Sequence, residues 1–141
     1  MQVKVTTKLV WRMQPQGHFW RSFSAAVNDA AWQVGQFYRT YLKRLLAIAV
    51  GRSTTGKVIQ RSKPGEPPRR ETADLWRSIA VDQDKKSNYT MIYTNIDYAK
   101  ELELGSAKIA PRPAWMPAFL YKWRIMAIYI QVKMKDFLDT Y

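Results

Sequence analysis

Hydrophobic positions change their spacing along the chain, and these changes predict the order of its elements. Over residues 2–12 apolar and polar residues alternate, which is the period of a half-buried β-strand. Over residues 19–50 apolar residues recur every three or four positions, which predicts a long helix ended by Gly51. Its apolar stripe is predicted to contain Phe19, Phe23, Val27, Ala30, Val34, Phe37 or Tyr38, Tyr41, Leu45 and Ile48.

The second half of the chain predicts shorter elements and one more long helix. A helical turn at residues 74–76 leads into strands at residues 78–81 and 89–95, which form an antiparallel hairpin with the first strand as a candidate neighbour. Residues 117–138 form a helix that is apolar most of the way round. Such a helix is buried by more than one partner, either the sheet and the first helix or a second subunit. The sequence therefore predicts an α+β fold in which an antiparallel sheet of about three to five strands packs against two long helices.

A proline-rich segment at residues 110–117, called the strap below, separates a short helical turn from the last helix. Gly105 suits the residue of positive φ that ends the turn, and each proline of the strap lacks an amide hydrogen. Pro117 fits the first turn of the last helix, where the missing donor costs nothing. We expect Trp115 and Met116 to anchor the strap against another surface.

Composition describes one domain over residues 1–141, with 47% hydrophobic residues and a net charge of +12. A field of this sign favours nucleic acid, an anionic membrane or an acidic protein as a partner. The charge is densest at residues 51–70, which we expect to be an exposed basic loop. Its cations are Arg52, Lys57, Arg61, Lys63, Arg69 and Arg70. No apolar run approaches the length of a membrane span, and no membrane role or secretory signal is predicted.

The residues offer no catalytic constellation, and we expect no enzyme activity, no metal and no cofactor. The chain has no cysteine and one histidine, His18, which leaves most transition-metal sites without ligands. The segment from Gly51 to Lys57 approximates a phosphate-binding loop but lacks the following Ser or Thr and comes after a helix. For Glu103 the alternatives are structural hydrogen bonding or a subunit salt bridge, for example with Arg112.

Four motifs in order resemble the minor tail-component family of tailed bacteriophages, the neck and tail-completion proteins. They are a Gly-x-Pro-Pro loop at residues 65–68, a Thr-x-x-Leu-x-x-Ser-Ile segment at 72–79, a Tyr-Ala-x-x-x-Glu-x-Gly turn at 98–105 and an Arg-Pro-x-aromatic strap at 112–118. Ala73 stands where the family usually has glycine, and the aromatic residue of the strap, Trp115, is shifted by one place.

The resemblance implies a structural virion protein: a ring-forming subunit that completes the tail and joins it to the head–tail connector. By resemblance the ring has six copies, and its partners are further copies of the chain, the tail-terminator or tail-tube proteins and the head-connector proteins. Localisation would be the host cytoplasm during assembly and then the neck of the virion. The residues expected at the interface are Tyr98, Glu103, Arg112, Trp115, Met116 and Phe119.

The basic loop leaves two alternatives open. It can dock onto an acidic partner protein, or it can contact the phosphates of passing genomic DNA, since cations that neutralise phosphates give salt-dependent binding. The alternative function is therefore a basic DNA-binding accessory protein that acts outside a ring. Closed rings require two different patches on each subunit, and the first helix and the strap are the candidates from sequence.

Overall fold

The computed structural model describes residues 2–3, 17–48, 62–68, 74–86 and 89–141, and the structural statements below concern these residues. The fold is α+β, with long helices beside a small antiparallel sheet. The elements in chain order are β1 (Gln2–Val3), α1 (His18–Ile48), α2 (Asp74–Ser78), β2 (Ala80–Asp84), β3 (Tyr89–Tyr93), α3 (Tyr98–Leu104) and α4 (Trp115–Thr140).

Helix α1 is the first long helix that the three- and four-residue spacing predicts. Its most buried side chains are Ala30, Tyr38, Leu42 and Leu46, each 3% exposed or less. Of the two alternatives in the predicted stripe, Tyr38 is the core residue, because Phe37 is 43% exposed. Leu42 and Leu46 were not in the predicted stripe, and they continue from Tyr38 in four-residue steps along the same face.

The hairpin is the main part of the described sheet. Strands β2 and β3 pair antiparallel, with Val81 opposite Ile92 and Asp82 opposite Met91. Gln2 and Val3 pair with the other edge of β3, so the expected neighbour of the hairpin is seen in its first residues. The expected number of three to five strands is not confirmed. Residues 4–12, the remainder of the predicted first strand, lie outside the described residues. Ser78 ends α2 and does not begin the strand as predicted, since its hydroxyl donates to the Leu75 carbonyl 2.9 Å away.

Helix α1 lies between the hairpin and α4. A Cβ atom at Gly35 would stand 2.8 Å from Cγ2 of Thr90 and 3.0 Å from Cγ1 of Val81, so glycine allows the helix to approach the sheet closely. On its other side α1 runs antiparallel to α4, with the Phe23 ring 5.7 Å from the Phe137 ring. The hairpin, α1 and α4 are therefore three successive layers, and in the described chain α4 packs mainly on α1.

Candidate assembly interface

The short helix α3 ends where the sequence predicts. Gly105 has φ of +78°, and its amide donates to the Glu101 carbonyl at 2.8 Å. A Cβ atom at this position would lie 2.9 Å from Cδ of Pro111, so the residue must be glycine for both its backbone angle and its surroundings. Asp97 precedes the helix, but its side chain makes no capping hydrogen bond.

The beginning of the strap is tied by backbone hydrogen bonds to two other segments. The Pro111 carbonyl accepts from the Gly65 amide at 2.9 Å, and the Arg112 amide donates to the Leu102 carbonyl at 2.6 Å. Three of the four sequence motifs, at residues 65–68, 98–105 and 112–118, therefore meet at one place in the fold. Residues 115–117 form the first turn of α4 instead of the extended strap that was expected, and Pro117 lies in that turn as predicted.

Glu103 closes the N-terminus of α4 across the strap. Its Oε2 atom accepts the amide hydrogens of Ala114 at 2.8 Å and Trp115 at 3.1 Å, and its Oε1 atom accepts that of Met116 at 2.8 Å. The side chain is 9% exposed. These amides are among those that a helix leaves without internal partners, and the helix dipole favours a negative charge at this end. Of the two alternatives for Glu103, structural hydrogen bonding is the one that the geometry shows.

A second contact fixes the same turn from α1. The Tyr38 hydroxyl donates to the Trp115 carbonyl at 2.6 Å, and its ring meets the Phe119 ring edge-on at 6.2 Å. Burial, followed by the nearby charge of Glu103, raises the pKa of Tyr38 well above its ordinary value of 10.0. The phenol is therefore a neutral donor at any physiological pH.

The six residues expected at the interface divide into two groups. Trp115 is 3% exposed and belongs to the core of the single chain, so it is not an anchor for a neighbour; its position at the first turn of α4 directs it inward. Glu103 is buried, Phe119 is half-buried against that core, and Arg112 is half-buried with its Nε atom unpaired among the described residues. Met116 and Tyr98 remain available at the surface, with 57% and 42% of their side chains exposed.

Helix α4 exposes an apolar face. The sequence analysis predicted a helix that is apolar on most sides, but it did not predict which side would be exposed. Tyr121, Ile125, Ile128 and Val132 follow steps of four, three and four residues and are 71%, 52%, 58% and 50% exposed. Steps of this kind keep side chains on one side of a helix. We call these four residues the outer stripe. The Tyr121 ring stacks on the Tyr41 ring of α1 with 6.1 Å between ring centres, and the other three residues lie away from the side of α4 that packs on α1 through Trp115 and Met126. In the sequence, this face is indicated by the apolar residues of positions 117–138, which are spread around the helix and do not form a single stripe.

Several cations of the described chain lie against aromatic rings or carbonyls. Lys122 Nζ stands 4.6 Å from the Tyr41 ring and 4.7 Å from the Tyr121 ring. Lys43 Nζ lies 4.7 Å from the Trp76 ring, and burial together with Arg39 lowers the pKa of Lys43. These contacts hold positive charge at the surface of the helices. Of the six cations of the predicted basic loop only Lys63 is described; it is exposed, and its backbone amide donates to the Glu66 carboxylate at 3.0 Å.

The described residues also form a cleft away from the strap. A cleft of about 700 Å³ lies between α1 and the hairpin and is lined by charges of both signs, including Arg21, Asp29 and Lys85. Among the described residues no three His, Cys, Asp or Glu side chains are grouped so that they could hold a metal ion. None of the helices in this part of the chain combines the length and hydropathy of a membrane span.

No protein-family model, curated protein or solved structure matches this chain. The resemblance to the tail-component family therefore remains a hypothesis based on the four motifs.

Proposed function

We propose that the chain is a structural protein that assembles with copies of itself through α4 and catalyses no reaction. The observation that carries the proposal is the outer stripe, because within the described residues α4 packs mainly on α1, while exposed apolar side chains extend over other sides of the helix. Contiguous apolar patches of this kind on a folded surface mark interaction sites. Burial of the exposed half of each stripe residue would contribute roughly 1 kcal/mol, or about 4 kcal/mol per copy before the entropy of association is subtracted.

The proposed place of assembly is the neck of a tailed phage, where the subunit forms a ring that completes the tail and joins it to the head–tail connector. This part of the proposal is supported by the four motifs and by their proximity in the fold, where Gly65, Glu103 and Arg112 belong to segments joined by hydrogen bonds. The partners are then further copies of the chain and the tail and connector proteins above and below the ring.

Sedimentation velocity over a wide range of protein concentration tests the assembly. We expect the chain to associate, and we expect the double variant Ile125→Ser/Ile128→Ser to associate at least tenfold more weakly. Gln131→Ser is a matched control, because Gln131 is an exposed polar residue of the same helix outside the outer stripe. A wild-type chain that stays monomeric at every concentration, alone and with its tail and connector partners, would overturn the proposal. Electron microscopy of the associated species tests whether the assembly is a ring.

A DNA-binding accessory protein is the alternative function, supported by the net charge of +12. A gel-shift titration distinguishes it from the structural role. Tight binding by the monomer that is lost in the variant with Arg61, Lys63, Arg69 and Arg70 replaced by serine favours the alternative. Binding that appears only with the assembled species, or none, favours the structural role.

A further inference from the structure

We infer that the outer stripe of one copy covers the outer face of the β2–β3 hairpin of a second copy. This inference rests on the proposed self-assembly and names the surface that receives α4. The outer hairpin face is the side of the strands turned away from α1, and it consists of Ala80, Asp82, Asp84, Tyr89, Met91 and Tyr93. Asp82 also borders the cleft between α1 and the hairpin.

The orientation of this face follows from the register. Val81 and Thr90 reach Gly35 of α1, and Gln83 donates to the Asn28 carbonyl, so residues 81, 83, 90 and 92 point to α1. Side chains alternate across a strand, so residues 80, 82, 84, 89, 91 and 93 share the opposite side. The three large side chains of β3 there are half-buried, and Asp82 is exposed. Among the described residues, α1 is the helix that packs on the hairpin, and it lies on the inner side of the strands.

The two surfaces match in length. The outer stripe runs over twelve residues of helix, from Tyr121 to Val132, and its eleven rises of 1.5 Å extend over roughly 16 Å. A five-residue strand extends over roughly 14 Å at 3.4 Å per residue. A helix laid on a two-stranded hairpin covers its apolar side chains, which is the layered arrangement that helices and sheets adopt within domains.

Cations along one edge of the outer stripe complement acids of the outer hairpin face, while Asp136 flanks the other edge of the stripe. Arg124 and Lys135 are exposed and lie along one edge of the outer stripe, three helical turns apart. The Arg124 guanidinium is 5.8 Å from the neighbouring Trp123 ring. The outer hairpin face carries Asp82 and Asp84, while Lys85 and Lys86 lie beyond the end of β2 in the turn. In a chain with 23 cations and 11 acids, two acids on the same face of one short strand are a local reversal of sign.

The pairing is between two different surfaces, so it joins copies head to tail. Such an interface either closes into a ring or extends as a filament. A pairing of α4 with α4 would instead be symmetric, and it would place Arg124 and Lys135 of both copies at one interface.

Charge exchange between the two surfaces tests the inference. The helix variant is Arg124→Glu/Lys135→Glu, and the hairpin variant is Asp82→Lys. Each alone places like charges across the interface, and we expect each to weaken self-association about tenfold or more at low salt. In an equimolar mixture every interface between unlike copies pairs opposite charges, so we expect association within about threefold of wild type. Glu101→Lys is the control, because it makes the same change of charge at an exposed residue of α3.

Sedimentation velocity of each variant and of the mixture gives the outcomes, and thermal unfolding followed by circular dichroism checks that each variant is folded. The inference is supported if each variant by itself associates weakly and the equimolar mixture associates nearly as strongly as wild type. If Asp82→Lys associates like wild type while Ile125→Ser/Ile128→Ser does not, α4 contacts something other than the hairpin and the inference fails, although the proposed function stands. If the wild-type chain never associates, both fail.

Discussion

Glu103 provides the sharpest test of the reasoning about the strap and α4. Two of the three amides that it accepts belong to Ala114 and Trp115, which are 2% and 3% exposed, so water cannot readily replace the carboxylate there. A buried donor left unpaired costs about 1–3 kcal/mol. The third amide belongs to Met116, whose exposed position allows hydration. With loss of the favourable charge at the helix terminus, Glu103→Ala should lower the free energy of unfolding by about 3–5 kcal/mol.

Glu103→Gln keeps the size of the side chain and removes its negative charge, so it separates the contributions of charge and of shape to the free energy of unfolding. Its amide oxygen can still accept from Ala114 and Trp115, while its NH2 group would face the Met116 amide, so we expect a loss of about 1–3 kcal/mol. Urea unfolding followed by tryptophan fluorescence, at a protein concentration where the chain is monomeric, measures both variants. Glu101→Gln, at an exposed residue of the same helix, should change stability by less than about 0.5 kcal/mol. A loss below about 1 kcal/mol in Glu103→Ala, with an unchanged dependence on urea, would refute the capping role.

Three further predictions concern the core and the strap. Tyr38→Phe should cost about 1–2 kcal/mol at neutral pH, because it removes the buried hydrogen bond to the Trp115 carbonyl. The raised pKa of Tyr38 adds a pH dependence, because above about pH 10 the unfolded chain releases a proton that the folded chain keeps. Wild type therefore loses stability above this pH. Its stability advantage over Tyr38→Phe should shrink in urea titrations from pH 8 to 11. Gly35→Ala should cost about 1–3 kcal/mol by overpacking against Thr90, and Thr90→Ser in the same chain should recover part of it in thermal unfolding; no recovery would place the strain elsewhere. Gly105→Ala should lower stability by at least about 1 kcal/mol through its positive φ and the approach of Pro111, whereas an unchanged urea midpoint would contradict both causes.

Much of the fold could be predicted because its signals are local. Gly105 and Pro117 indicate where α3 ends and α4 begins, and both lie at those places in the structure. The hairpin follows from β-forming residues on either side of a polar turn. Periodicity alone left Phe37 and Tyr38 as alternatives, because two adjacent positions fit a stripe of three- and four-residue steps almost equally well.

The interface could be predicted less well because it depends on non-local contacts. Trp115 follows two prolines of the strap, Pro111 and Pro113, and resembles an exposed anchor. The hydrogen bond from Tyr38, which is distant in sequence, nevertheless holds its backbone in the core. The partners of Glu103 lie across the strap and leave no pattern in the sequence. The sequence of α4 does indicate more than one partner, but it does not indicate that α1, rather than the hairpin, covers its inner side.

The cap on α4 also has a consequence for motion. Because one carboxylate binds three amides from a segment eleven to thirteen residues further along, α3, the strap and the first turn of α4 cannot open separately without exposing the charge and the amides together. Deuterium should therefore enter the amides of Ala114, Trp115 and Arg112 at a common rate, as a single cooperative unit. This unit fixes the first turn of α4 in the single subunit, in which the outer stripe of the same helix is exposed to solvent.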